Sequence, residues 1–134
     1  MNVWQYRYWV GIDLDLELQN SVFLIGPIEF QDKKILLNNS DYFTLASEFE
    51  SFGIVVAEAL AWGKPIVASN LTPWKSLEKN KCGILVANDK ISFSRGLFDI
   101  VNNKYDSKLI KEYVFSTYDW NLIVDKFLIN IKDN

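Results

Sequence analysis

The chain has 134 residues, enough for one domain with a buried core, and its 49% hydrophobic and 15% aromatic content argues against disorder. A net charge of −3 leaves no basic footprint for nucleic acid, so no nucleic-acid partner is expected. The single cysteine, Cys82, rules out an intrachain disulfide and is expected to be a buried thiol in a reducing compartment, and the absence of histidine removes any imidazole base or ligand.

The N-terminal stretch from Met1 to Ile12 is aromatic, interrupted by Gln5 and Arg7, and lacks the layout of a signal peptide. Apolar runs fall well short of the ~18–20 residues of a membrane-spanning helix, so no transmembrane segment and a cytoplasmic location are expected. Ile12, Leu14, Leu16 and Leu18 alternate with Asp13, Asp15 and Glu17, the period of a half-buried strand. Val22 to Ile25 is a continuous apolar run closed by Gly26-Pro27 and predicts a buried parallel strand. A short helix is expected over Gln31–Leu37 and a short strand over Tyr42–Leu45.

From Ile54 to Trp62 every residue but Glu58 is apolar. This pattern predicts a buried helix, with Ser51 as N-cap, Gly63 as the left-handed residue after the end, and Pro65 beyond it. Ile66-Val67-Ala68 and Gly83–Val86 read as two more buried strands. Thr72-Pro73 reads as the start of a short helix through Lys79. Asp89 and Asp106 are candidate caps for two further helices, the first with an apolar stripe of Phe93, Leu97, Ile100 and Val101. Asp119 precedes a final stripe of Trp120, Ile123, Val124, Phe127, Leu128 and Ile131. Strands alternating with helices imply an α/β fold with a parallel, Rossmann-like sheet, in which ligands bind beyond the carboxyl ends of the strands.

The loop from Ala46 to Phe52 lies at that edge. Two acids flank its helix start, Glu50 ahead and Glu58 about one and a half turns in, on what the pattern makes the buried side. The backbone N–H groups of Phe52, Gly53 and Ile54 would be exposed at a helix N-terminus, and Gly53 lets a ligand approach closely. A carboxylate accepts two hydroxyls of a vicinal diol, so the pair suits a hydroxyl-rich ligand. The plainer alternative is that Glu50 is a solvated loop charge and Glu58 bonds a core lysine or backbone.

The run Glu50-Ser51-Phe52-Gly53 with Glu58-Ala59-Leu60-Ala61-Trp62-Gly63-Lys64-Pro65 resembles the E-x7-E signature of retaining GT-B glycosyltransferases of family 4, the "glycosyl transferases group 1". Ser21–Pro27, Thr72-Pro73-Trp74, Cys82–Val86 and Tyr118-Asp119-Trp120 resemble further landmarks, so the likeness runs from about Leu18 to Ile131. The resemblance implies that residues 18–134 form part of the C-terminal nucleotide-sugar-binding domain of a GT-B fold, with residues 1–17 unplaced. It implies a UDP- or GDP-linked sugar as substrate, no metal and no other cofactor. Glu58 would hold the ribose, Glu50 the transferred sugar, Phe52-Gly53-Ile54 the sugar hydroxyls or phosphate, and the loop at Gly26 and Pro27 would approach the base.

The resemblance also defines what is unmatched. The family's acceptor-binding N-terminal domain has no counterpart here, nor has the strand whose Arg and Lys neutralise the donor diphosphate. A complete catalytic set is therefore not expected in this chain. The expected function is donor binding in hexosyl transfer for polysaccharide or glycolipid assembly, with an acceptor domain from another chain and with any membrane association peripheral and through that partner. The alternatives are an inactive truncated fragment or a non-catalytic nucleotide-sugar-binding or interaction module. Without central strands the sheet would expose backbone and apolar faces, so the isolated chain is expected to be poorly stable, homo-oligomeric or completed by a partner, and to bind nucleotide-sugar weakly. A purified monomer with one cooperative melt would contradict that expectation on stability.

Overall fold

The computed structural model describes residue 23 and residues 25–119. The chain divides into two compact units, Met1–Leu36 and Leu37–Asn134. In the first, Phe23 and Ile25 are exposed and in no strand, so these two residues do not support the strand expected at 22–25; Val22 and Leu24 lie outside the described residues. Helix α1, Phe30–Asn39, begins here and is longer than the 31–37 expected. Asp32 lies in its first turn, and Lys34 Nζ stands 4.4 Å from the centre of the Phe30 ring.

The second unit is built on three parallel strands, β1 (Phe43–Leu45), β2 (Ile66–Ser69) and β3 (Gly83–Val86), in the order β1-β2-β3. Phe43 is in register with Ile66 and Ile66 with Gly83. Helix α2, Ile54–Ala61, makes the crossover from β1 to β2. Helices α3, Lys90–Asn102, and α4, Ser107–Tyr118, follow β3. The α/β class and the parallel, partial Rossmann-like sheet are as the sequence leads one to expect.

All four residues of β2 are buried, and its alternation distributes them between two layers. Ile66 and Ala68 join Val56, Ala59 and Leu60 of α2 and Ile110 and Val114 of α4 in one core. Val67 points the other way, towards α3. Gly96 permits that approach, since a Cβ there would meet Val86 Cγ1 at 2.7 Å and Val67 Cγ1 at 3.1 Å. On α3 only Gly96 and Ile100 are buried; Leu97 and Val101 of the expected stripe are exposed. The outer edge of β3 is blunted at Leu85, whose N–H donates to Glu78 Oε1 at 3.0 Å.

The helix ends follow local chemistry. Gly63 has φ 72, and Gly63 N–H donates to Leu60 O at 2.8 Å and Lys64 N–H to Ala59 O at 3.0 Å, the paired bonds of a Schellman end. Asp89 Oδ1 accepts from Ser92 N–H at 2.9 Å, and Asp106 Oδ1 from Lys108 N–H at 2.8 Å, as their positions predict. The Ser92 bonds also hold the Asp89 carboxyl below its ordinary range.

One expected helix is absent: Thr72–Lys79 is a series of turns. Thr72 Oγ1 donates back to Ser69 O at 2.8 Å instead of capping forward, and Leu77 N–H reaches Trp74 O, three residues back. Trp74 and Leu77 are buried in the core, and anchoring both side chains favours this irregular path over a helix. The stripe from Trp120 onward lies outside the described residues.

Cys82 is buried in this core, its Sγ 3.3 Å from Asn80 O. Burial pushes the thiol from an ordinary 9.0 up to about 11. Its neutral form therefore contributes stability that is intact below about pH 9 and lost as pH rises through 11. Cys82 is expected to resist a thiol reagent at pH 8 in the folded chain and to react fully in urea. Rapid labelling of the folded chain would contradict this burial.

Candidate functional site

Strand β1 ends at Leu45, and the loop beyond it delivers the chain to α2 at the carboxyl edge of the sheet. Ser47 Oγ donates to Phe49 O at 2.9 Å and tightens the first half of the loop. Phe49 and Ser51 are exposed, and Glu50 is partly buried. The helix is entered through Gly53, at φ 74 and ψ 60, with no side-chain cap. Ser51, expected to cap, does not. The left-handed turn at Gly53 brings the chain into the helix axis two residues later than Ser51 would have done. Gly53 O then accepts from Val56 N–H at 2.9 Å.

The apolar run of α2 is not buried on all sides. Val56, Ala59 and Leu60 are buried, but Ile54 is 66% exposed and Val55 40%. Glu58 is four residues from Ile54 and three from Val55, so it shares their side of the helix. It is half-buried. The carboxylate is therefore not on the buried side, as the sequence pattern had it; the 3.6-residue period places it opposite the core residues. It lies about 6 Å along the helix axis from Ile54, from four residues at 1.5 Å each. Phe52, Gly53, Ile54 and Glu58 thus line one end and one side of α2, with Glu50 in the loop ahead of them. Gly26 and Pro27 belong to the first unit, where both are exposed and Gly26 has φ 65.

Beneath the loop lies an aromatic cluster in which Phe52 meets Trp74 and Tyr118, neither of which the sequence assigns to the site. Trp74, 2% exposed, donates its indole N–H to Phe52 O at 2.6 Å. The Phe52 ring packs on Trp74 with centroids 5.2 Å apart and on Tyr118 at 5.7 Å. Trp74 and Tyr118 are 5.0 Å apart. Tyr113 closes the cluster, its hydroxyl 2.6 Å from Ser76 Oγ. Burial foremost, and then the bond with Tyr113, pushes the Tyr118 hydroxyl up to about 12. A lone Trp in a turn has no periodicity to reveal it; the only signal was its place in Thr72-Pro73-Trp74.

A separate concavity of about 270 Å³ opens at the amino ends of β1 and β2, lined by Asp41, Tyr42, Lys64, Asn103, Tyr105 and Ser107. It includes none of the residues the sequence nominated. Among the described residues no helix is long and apolar enough to cross a membrane.

Residues 11–116 match the family described as "Glycosyl transferases group 1". The match includes residues 11–17, part of the segment that resemblance alone left unplaced. The chain is 29% identical over 108 residues to a phosphatidyl-myo-inositol mannosyltransferase of Propionibacterium freudenreichii, covering 76% of this chain and 28% of that protein. It is 25% identical over 122 residues to the GDP-mannose:cellobiosyl-diphosphopolyprenol alpha-mannosyltransferase of Xanthomonas oryzae, covering 87% and 32%. An uncharacterized glycosyltransferase of Methanocaldococcus jannaschii is 30% identical over 130 residues, covering 92% and 33%. The chain thus spans a third or less of the length of these relatives.

The Gly53 turn is the most constrained backbone of the loop. A side chain there has to adopt a left-handed φ, and its Cβ would stand 3.1 Å from Trp74 Nε1. Gly53→Ala is expected to lower unfolding stability by about 1–2 kcal/mol, measured by urea titration. An unchanged midpoint would contradict this.

Proposed function

Because the chain belongs to the glycosyl transferases group 1 family, we propose that it binds the nucleotide-sugar donor of a retaining hexosyl transfer, in polysaccharide or glycolipid assembly. The observation that carries the proposal is the junction from β1 to α2. A glycine-opened helix N-terminus meets one acid in the loop and a second on the exposed side of the helix, at the sheet edge where parallel α/β folds bind ligands. Residues 18–134 constitute the donor-binding part in this proposal. The names of the relatives, mannosyltransferases in two of the three cases and GDP-mannose-dependent in one, make a GDP-linked mannose the first donor to test.

Each residue then has a chemical task. Glu58 accepts hydrogen bonds from the two ribose hydroxyls, which a carboxylate does with its two oxygens. Glu50 contacts the transferred sugar. The N–H groups at Gly53 and Ile54 donate to sugar hydroxyls or phosphate, where the partial positive charge of the helix end favours anionic groups. The acceptor side is supplied by protein outside these residues, whether a separate chain or more of the same one. Any membrane association is peripheral and comes through that partner.

Ligand-observed NMR on the 134-residue chain tests the donor assignment. GDP-mannose, or failing it a UDP-hexose, is expected to bind weakly. Glu58→Gln replaces a charged acceptor with a neutral one and is expected to raise Kd about tenfold, the effect of roughly 1.4 kcal/mol. Absence of binding by every nucleotide-sugar at millimolar concentration would overturn the proposal, as would equal binding by the variant.

A further inference from the structure

We infer that Trp74 is a positioning residue of the donor loop, setting the orientation of the Phe52–Gly53 peptide through its indole N–H. The inference rests on the donor assignment above only for its ligand consequence.

The loop has few other means of holding its shape. It contains no regular structure between Leu45 and Ile54, and no side chain caps α2. Trp74 is anchored independently. It lies in the connection between β2 and β3, belongs to the buried core, and packs against Tyr118 at the end of α4. Its indole N–H has to find an acceptor when buried, and the acceptor it has is Phe52 O, at 2.6 Å.

Peptide geometry gives that bond a consequence. In a planar trans peptide the carbonyl and the following N–H point in opposite directions. Drawing Phe52 C=O towards buried Trp74 therefore turns the Gly53 N–H away from Trp74. That N–H makes no hydrogen bond among the described residues. The left-handed Gly53 then leads into the first helical turn, where Gly53 O accepts from Val56 N–H at 2.9 Å. The Phe52 ring, held between Trp74 and Tyr118, fixes the same peptide from its side chain. Releasing the carbonyl would allow the peptide to rotate and would redirect the N–H groups presented to the donor, with both glutamates left in place.

Trp74→Phe keeps an aromatic ring and deletes the donor. Its spectrum identifies the Trp74 indole resonance among the five tryptophans, by loss of one peak. In the wild-type chain that indole proton is expected to exchange slowly. In the variant the Val56 amide is expected to exchange about tenfold faster, while the Ile66 amide, bonded to Cys82 O at 3.0 Å, keeps its rate. The Kd for GDP-mannose is expected to rise about fivefold or more. Equal acceleration at Val56 and Ile66 would mark a general structural role and overturn the inference; so would an unchanged Val56 rate. If Trp74→Phe does not fold, the wild-type indole decides: protection supports the inference, and exchange at the rate of free indole overturns it. If the wild-type chain takes up no GDP-mannose or other nucleotide-sugar, the donor assignment fails while the exchange rates still decide the role of Trp74.

Discussion

Strand β2 is the constraint on which the second unit depends. Its four residues are buried, both neighbouring strands bond to it, and helices cover both of its faces. Burying side chains such as Ile66 and Val67 is worth about 1.5–3 kcal/mol each. A parallel strand without a covered face would expose apolar surface on that side. The alternation of Ile66 and Ala68 against Val67 therefore decides where α2 and α4 pack and where α3 packs. Gly96 is the counterpart on α3, small enough for the helix to lie close to Val67 and Val86.

The candidate site is suspended from this frame at two points. The crossover through α2 places the helix start at the carboxyl edge of the sheet. The turns after β2 then bring Trp74 back beneath the loop, where its N–H meets Phe52 O. The site is thus an irregular segment whose second half is held by the core, while Ser47 tightens its first half. Both of its acids are half-buried, and its rigid element is an aromatic cluster shared with the end of α4.

Much of the second unit was legible in the sequence because the signals were local. The apolar run Gly83–Val86 coincides with β3, and β2 extends one residue beyond the run Ile66–Ala68. The Schellman end at Gly63 and the caps at Asp89 and Asp106 follow from residues within one turn of each helix end. The failures share one cause. Thr72–Lys79 has a helix-starting pair, but burial of Trp74 and Leu77 overrides it. Ser51 has the right chemistry for a cap, but the chain turns at Gly53 instead. Glu58 appeared buried because its neighbours are apolar, yet Ile54 and Val55 are exposed beside it.

By itself the sequence determined the α/β class, strands β1 to β3, helices α2 to α4 and the pair of glutamates flanking the start of α2, because hydrophobic period and capping chemistry act over a few residues. Membership of the group 1 glycosyltransferases was legible in the same run. Only the tertiary structure decided which side of α2 carries Glu58 and what holds the loop ahead of it. Those outcomes depend on contacts between residues far apart in the chain, such as Trp74 with Phe52, and composition and spacing carry no record of which distant side chain fills the space beneath a turn.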